Sequence, residues 1–99
     1  MVTHVVMWTV KADETNPRGE VAEEIRRRIE SMRGRVPHFE SLEVGINENE
    51  SSAATDVVLI SRHRDWETLA KYRDDPVHQE VAGFVTERTD SRAVVDYES

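Results

Sequence analysis

The sequence predicts one α+β domain in the order strand, helix, strand, strand, helix, strand. Two segments, at residues 2–10 and 57–60, are rich in β-branched and aromatic residues and are apolar on both alternating faces. Each is followed by a charged segment whose apolar residues recur at three- and four-residue spacing, as in an amphipathic helix. A chain of 99 residues is large enough for one such core and too small for two.

The first half of the chain predicts a strand, a helix and a second strand. Residues 2–10 form the first strand. Asn16 is expected to cap a helix with Pro17 in its first position, and Gly34 is expected to follow its C-terminus. Residues 41–46 form the next strand. The apolar stripe of the helix consists of Val21, Ala22, Ile25, Ile29 and Met32.

The second half predicts a loop, a strand and an interrupted helix. Residues 47–55 are small and polar without periodicity, which indicates a hairpin loop, and residues 57–60 form the third strand. Asp65 is expected to cap the next helix, and Asp75 followed by Pro76 restarts it as a second one. The apolar residues of these helices are Leu69, Ala70, Tyr72, Val77, Val81, Phe84 and Val85.

The chain ends in a fourth strand, whose apolar residues are Val94, Val95 and Tyr97. The resulting βαββαβ order is that of the split βαβ or ferredoxin-like fold, with a four-stranded antiparallel sheet and both helices on one face. The other face also needs a cover. Leaving Val6, Trp8 and Leu59 in water would forgo roughly 1.5–3 kcal/mol each. We therefore expect a homodimer whose sheet faces cover each other.

Composition excludes several classes of function. The net charge of -7 and the sequence pI near 5.0 oppose binding to nucleic acid or to an anionic membrane. The basic run at residues 26–28 lies among glutamates, as on a solvated helix face. Without cysteine there is no disulfide, thiolate nucleophile or cysteine-ligated metal. The apolar N-terminus is too short for a signal peptide or a membrane span, so we expect a cytoplasmic protein.

Four segments together resemble the stress-responsive A/B barrel domain (Dabb) family over nearly the whole chain. They are HVVMW at 4–8, PHFESLEVG at 37–45, DWETLAKYRDDPVH at 65–78 and VVDY at 94–97. The most specific feature is an acidic residue that opens a helix, followed by Tyr72 and then by Pro76-x-His78. The resemblance implies that residues 1–99 form one domain, which pairs into a dimeric α+β barrel with a cavity in each protomer. No cofactor is expected.

The family fixes the fold better than the function. It contains stress-induced plant proteins, bacterial members without a known activity and a plant enzyme that closes a linear polyketide by aldol condensation. Resemblance to that enzyme implies that His78 is a general base assisted by Tyr72, with His4 facing the cavity. The enzyme's further histidine and tyrosine correspond here to Asp56 and Ile29, so the same reaction is not expected.

Each candidate residue also has a structural interpretation. His78 either removes a proton α to a carbonyl or bonds a carbonyl that locks the helix break at Pro76. Tyr72 is either its partner or a core residue with a satisfied hydroxyl. His4 either contacts a ligand or bonds a neighbouring strand. Trp8 either packs the barrel or forms a platform for a ligand.

The remaining polar candidates are weaker. Asp56 would form a carboxylate–imidazole pair with His78 or His4 if it faced the cavity, and otherwise would end the loop and face water. His38 and His63 are expected at the surface, beside loops or strand ends. Scattered histidines without a metal-ligand spacing do not predict a transition-metal site.

Three functions are compatible with this sequence. The first is a homodimer that binds a small molecule in a cavity lined by His4, Trp8, Tyr72 and His78. The second is a polyketide cyclase or lyase acting on a β-dicarbonyl compound, with His78 as base and Tyr72 as electrophilic partner. The third is a purely structural, stress-protective protein without a ligand.

Overall fold

A computed structural model describes residues 1–99 and confirms the βαββαβ order. All strand pairs are antiparallel, and the strands lie in the order β2, β3, β1, β4 across one sheet. The second crossover is divided into two helices, as the sequence predicts. The elements are β1 (Val2–Val10), α1 (Arg18–Glu30), β2 (Ser41–Ile46), β3 (Val57–His63), α2 (Trp66–Asp74), α3 (Pro76–Glu87) and β4 (Thr89–Glu98).

Two of the predicted helix starts are confirmed. Asp65 caps α2 by accepting a hydrogen bond from the Thr68 N–H at 2.8 Å. Asp75 caps α3 in the same way, accepting from the Val77 N–H at 2.8 Å, with Pro76 in the first helical position. These carboxylates satisfy N–H groups that the helix itself leaves unpaired.

The ends of α1 differ from the prediction. Pro17 occupies the cap position instead of Asn16, whose backbone N–H is bonded to Asp13 Oδ1 at 2.7 Å. The helix ends at Glu30, and Gly34, with φ +79°, lies within the turn that follows. The local turn formed by Asp13 therefore competes with the predicted cap for Asn16.

The hydrophobic core lies between the sheet and the three helices. Val6, Trp8 and Leu59 all belong to it, and even the large Trp8 side chain is only 6% exposed. Val6 and Leu59 are opposite each other in the β1–β3 register, so their side chains point to the same face. The expectation that these residues need a second copy of the chain is therefore wrong, because the protomer's own helices cover them.

The opposite sheet face is apolar and is not covered by the helices. We call it the open face. Val95 and Tyr97 on this face are 56% and 47% exposed, and all of β4 after Thr89 is exposed. The strand registers place these apolar side chains on the open face: Val5, Met7, Val58, Ile60, Val95 and Tyr97. The sheet therefore has an apolar face that the protomer leaves uncovered, as expected, but this face is formed by other residues than those predicted. None of the helices is long and apolar enough to cross a membrane.

Candidate functional site

A pocket lies inside the protomer, between the sheet and the helices. The space open to the centre of a water-sized sphere is about 60 Å³. Its lining includes four of the five predicted site residues, His4, Trp8, Tyr72 and His78. The pocket therefore coexists with the bulky Trp8 side chain. It is lined by one chain's sheet and helices, whereas this strand face was expected in the interior of a barrel.

A smaller space of about 40 Å³ lies beside the pocket. The two spaces share His4, Tyr72, His78 and Arg92, so these side chains lie where both meet. We call this smaller space the mouth, because its other lining residues include the exposed Arg73. Polar groups thus gather at one end of a pocket whose remaining walls are mainly hydrophobic.

His78 is held with one ring nitrogen engaged and the other available. It is the third residue of α3, and its Nδ1 lies 3.1 Å from the Arg73 carbonyl oxygen. Since a carbonyl only accepts, Nδ1 carries the proton and donates, which leaves a lone pair on Nε2. Burial lowers the pKa of His78 below its ordinary value, an effect that outweighs the opposing Arg73 carbonyl. The neutral imidazole is therefore a base at neutral pH.

Tyr72 supplies a buried donor beside this base. Its ring centroid lies 4.3 Å from that of His78, and its hydroxyl makes no hydrogen bond of normal geometry within the chain, since the neighbouring Ser61 hydroxyl is bonded to His63. Burial raises the pKa of the Tyr72 phenol far above its ordinary value, and the nearby Ser61 hydroxyl opposes this only in part. The phenol consequently stays protonated and can donate to an oxygen placed in the pocket.

His63 is a site residue that the sequence prediction missed. It is fully buried, and its ring centroid lies 4.8 Å from that of Tyr72. Its Nδ1 donates to the His38 carbonyl at 2.6 Å, and its Nε2 therefore accepts from the Ser61 hydroxyl at 2.8 Å. Burial lowers the pKa of His63, which keeps it neutral. The predicted surface position is wrong because β3 continues past Ile60, and the alternation of its side chains turns His63 inward.

His38, also expected at the surface, is half-buried at the edge of this cluster. Its Nε2 lies 3.5 Å from the Asp75 carboxylate, which caps the helix that carries His78. His38 therefore makes two contacts in this cluster. Its carbonyl accepts a hydrogen bond from His63, and its ring lies beside the Asp75 carboxylate. No local sequence pattern indicates these contacts, because they join segments that are distant along the chain.

His4 is paired with a carboxylate that the sequence prediction did not consider. Its Nδ1 bonds Asp96, which is directly opposite it in the β1–β4 register. Its ring centroid lies 6.1 Å from that of Tyr72. The interpretation that His4 bonds a neighbouring strand is thus correct, and its ring also lines the pocket.

Asp56 lies elsewhere. Its Oδ2 accepts from the Val10 N–H at 2.8 Å and from Arg18 Nη1 at 2.6 Å, so it joins the end of β1 to the start of α1. The predicted pair with His78 or His4 is wrong. Asp56 is absent from the lining of the pocket, and its side chain is not free in water either, at 16% exposed.

The comparisons with known proteins agree with this fold. A dimeric protein of unknown function and ferredoxin-like fold from Bacteroides fragilis NCTC 9343 has 27% sequence identity and a TM-score of 0.82, covering 99% of this chain and 95% of that chain. The protein At3g17210 from Arabidopsis thaliana has 21% identity and a TM-score of 0.83, covering 100% and 95%. Hydroxynitrile lyase from Passiflora edulis has 13% identity and a TM-score of 0.78, covering 97% and 90%.

At such low identities the last two similarities show the fold alone. No curated protein matches this sequence. The family model described as Stress responsive A/B Barrel Domain matches residues 2–99, nearly the entire chain. The protein therefore belongs to the stress-responsive A/B barrel domain family.

Proposed function

We propose that the protein binds a small, partly apolar molecule with a hydrogen-bond-accepting oxygen in the pocket between its sheet and its helices. The observation that supports this most strongly is the Tyr72 hydroxyl, which is buried, protonated and without a hydrogen bond of normal geometry in the chain. A buried polar group without a partner costs about 1–3 kcal/mol. An oxygen of a ligand that accepts from Tyr72 offsets this cost and fixes the orientation of the ligand.

The walls of the pocket indicate where the rest of the ligand lies. Away from the polar cluster they are formed by the core residues Val6, Trp8, Leu59, Val81 and Val85. Trp8 belongs to this apolar wall, and Ile29 adds to it. A short hydrocarbon chain fits such a wall, and the small volume disfavours a long one.

Titration with a short ketone, 2-pentanone, tests this proposal by NMR. We expect the resonances of Tyr72 and His78 to shift on binding, and Tyr72→Phe to weaken binding because the ring remains while the donor is lost. Tyr97→Phe removes the other tyrosine hydroxyl, on the open face, and serves as the control. Equal affinities for Tyr72→Phe and the wild type would contradict the proposed contact. Failure of the wild type to bind would favour the purely structural alternative.

A second candidate function is catalytic, and the free Nε2 of His78 supports it. In this reaction Nε2 takes a proton from the carbon next to a carbonyl, and the C–H electron pair forms an enolate whose oxygen accepts a hydrogen bond from Tyr72. A lyase or cyclase acting on a β-dicarbonyl compound begins with such a step. The neutral state and fixed tautomer of His78 suit a base, as derived above.

Deuterium incorporation next to the carbonyl of 2-pentanone in D₂O measures this step directly. A positioned general base contributes about 10²–10⁴-fold, so His78→Ala should lower the enzyme-dependent exchange rate by about a hundredfold or more. The variant must sediment like the wild type for the comparison to hold. Exchange at the wild-type rate in His78→Ala would exclude His78 as the base.

We also propose that each protomer is one domain, residues 1–99, and that two protomers pair through their open faces. The open face presents six apolar side chains that the protomer's own helices do not cover. Monomers seldom leave an apolar surface of this kind in water. The related structure from Bacteroides fragilis is described as dimeric, which supports a dimer here.

A further inference from the structure

Arg92 occupies a position in the site that the proposed function does not yet use. It lies on β4 opposite Trp8 in the strand register, and therefore on the same sheet face as the pocket. It lines both the pocket and the mouth, as do Tyr72 and His78. The guanidinium thus belongs to the place where the apolar interior gives way to the polar entrance.

Arg92 has no counter-ion within the chain. It forms neither an ion pair nor a side-chain hydrogen bond, and the same is true of the Arg73 guanidinium at the mouth. Seven of the 13 basic side chains form no ion pair, and of these seven only Arg92 and Arg73 line the pocket or the mouth. The carboxylate at this mouth, Asp96, is already bonded to His4.

The positive charge also acts on the proposed base. Burial is the main cause of the lowered pKa of His78, and Arg92 adds a lowering that is smaller than the opposing effect of the Asp75 carboxylate. Two guanidinium groups, those of Arg73 and Arg92, line the mouth beside one carboxylate, that of Asp96, on a protein whose net charge is -7. An anion at Arg92 would be attracted from solution and held by charge-assisted hydrogen bonds, which are stronger than neutral ones.

We infer that the ligand of this pocket is a small organic anion, a short-chain keto acid whose carboxylate binds Arg92 while its carbonyl oxygen accepts from Tyr72. This inference rests on the proposed function and adds the charge of the ligand to it. The planar guanidinium pairs with a carboxylate through two parallel N–H···O bonds, which sets orientation as well as affinity. In a β-keto acid the carbon between the two groups is the one whose proton His78 Nε2 takes.

Two probes of nearly equal size, one anionic and one neutral, separate this inference from the proposed function. Acetoacetate carries a carboxylate, and acetylacetone replaces it with a neutral acetyl group. Binding of each is measured by calorimetry and by the NMR shifts of His78 in the wild type, in Arg92→Gln and in Arg26→Gln. Arg26 lines none of the spaces described here and has only a surface pair with Glu23, so its variant removes the same charge elsewhere.

We expect Arg92→Gln to weaken acetoacetate binding by about tenfold or more, as for the loss of a charge-assisted bond. Acetylacetone binding should be unchanged, which also shows that the variant is folded. Arg26→Gln should bind both probes like the wild type. Added salt should weaken acetoacetate binding and leave acetylacetone binding unchanged.

Two other outcomes overturn the inference. If both probes shift His78 in the wild type but Arg92→Gln binds acetoacetate as tightly as the wild type does, Arg92 does not select an anion. The proposed function then stands without this addition. If neither probe shifts His78, the pocket does not take keto compounds, and the proposed function falls together with the inference.

Discussion

Val95→Asp should dissociate the proposed dimer. Val95 lies on the open face, opposite Val5 in the β1–β4 register, and is 56% exposed in the protomer. The substitution places a carboxylate among apolar side chains that we expect to meet their copies across the interface. Within the protomer the change is mild, because a partly exposed strand residue tolerates a polar side chain when water can reach it.

The expected size of the effect follows from that exposure. Complete burial of a valine is worth about 1.5 kcal/mol or more, so burying its remaining 56% contributes about 0.8 kcal/mol per protomer. Burying an unpaired carboxylate costs several kcal/mol more. A two-fold symmetric interface contains the substitution twice, so the dimer should weaken by at least about 5 kcal/mol. This corresponds to more than about a thousandfold in Kd.

Sedimentation velocity over a wide range of protomer concentration measures this change. Val94→Asp is the matched control, because Val94 is 38% exposed, pairs with Val6 and faces the helix side of the sheet. We expect Val95→Asp to be monomeric where the wild type and Val94→Asp are dimeric. A dimer of unchanged affinity in Val95→Asp would refute the open face as the interface, and so would equal dissociation in both variants.

Three further predictions concern stability. Asp75→Ala should lower the free energy of unfolding in urea by about 1 kcal/mol through loss of the α3 cap, whereas Asp75→Asn should retain most of it; equal losses would contradict the capping role. Asp56→Ala should cost about 1–3 kcal/mol, because it leaves the Val10 N–H unpaired, without changing ligand affinity; a weaker affinity would contradict its placement outside the pocket. The pKa values of His63 and His78 are lowered from 6.5 in the folded state, so the unfolded chain binds protons first as the pH falls. The free energy of unfolding should therefore decrease from about pH 7 to about pH 5, and a flat profile would contradict the neutral, buried imidazoles.

The sequence predicts the elements of this fold well because their signals are local. Asp65 and Asp75 are followed by the residues of their own helices, so each cap is visible without knowledge of the tertiary structure. The faces of the sheet are harder to assign. β1 is apolar on both sides, and a period of two does not tell which side the helices cover. Val6 and Trp8 were consequently expected on the open face, whereas they lie in the core.

Only part of the site was predictable, because only some of its residues are indicated by local sequence features. The resemblance to the family brought His78 and Tyr72 together, and the alternation in β1 added His4 and Trp8. The partners of these residues depend on the strand registers and on packing between distant segments. Asp96 and Arg92 are opposite His4 and Trp8 only because β4 pairs antiparallel with β1 in one register, which the sequence alone does not specify.

A ¹⁵N NMR measurement of the imidazoles shows whether His78 is a neutral base, with its proton on Nδ1 and its free Nε2 available to a ligand. We expect the Nδ1–H tautomer at neutral pH, a pKa of His78 below 6.5 and a shift of the Nε2 resonance when acetoacetate is added. A proton on Nε2, or a charged imidazole at neutral pH, would show that His78 is not the proposed base.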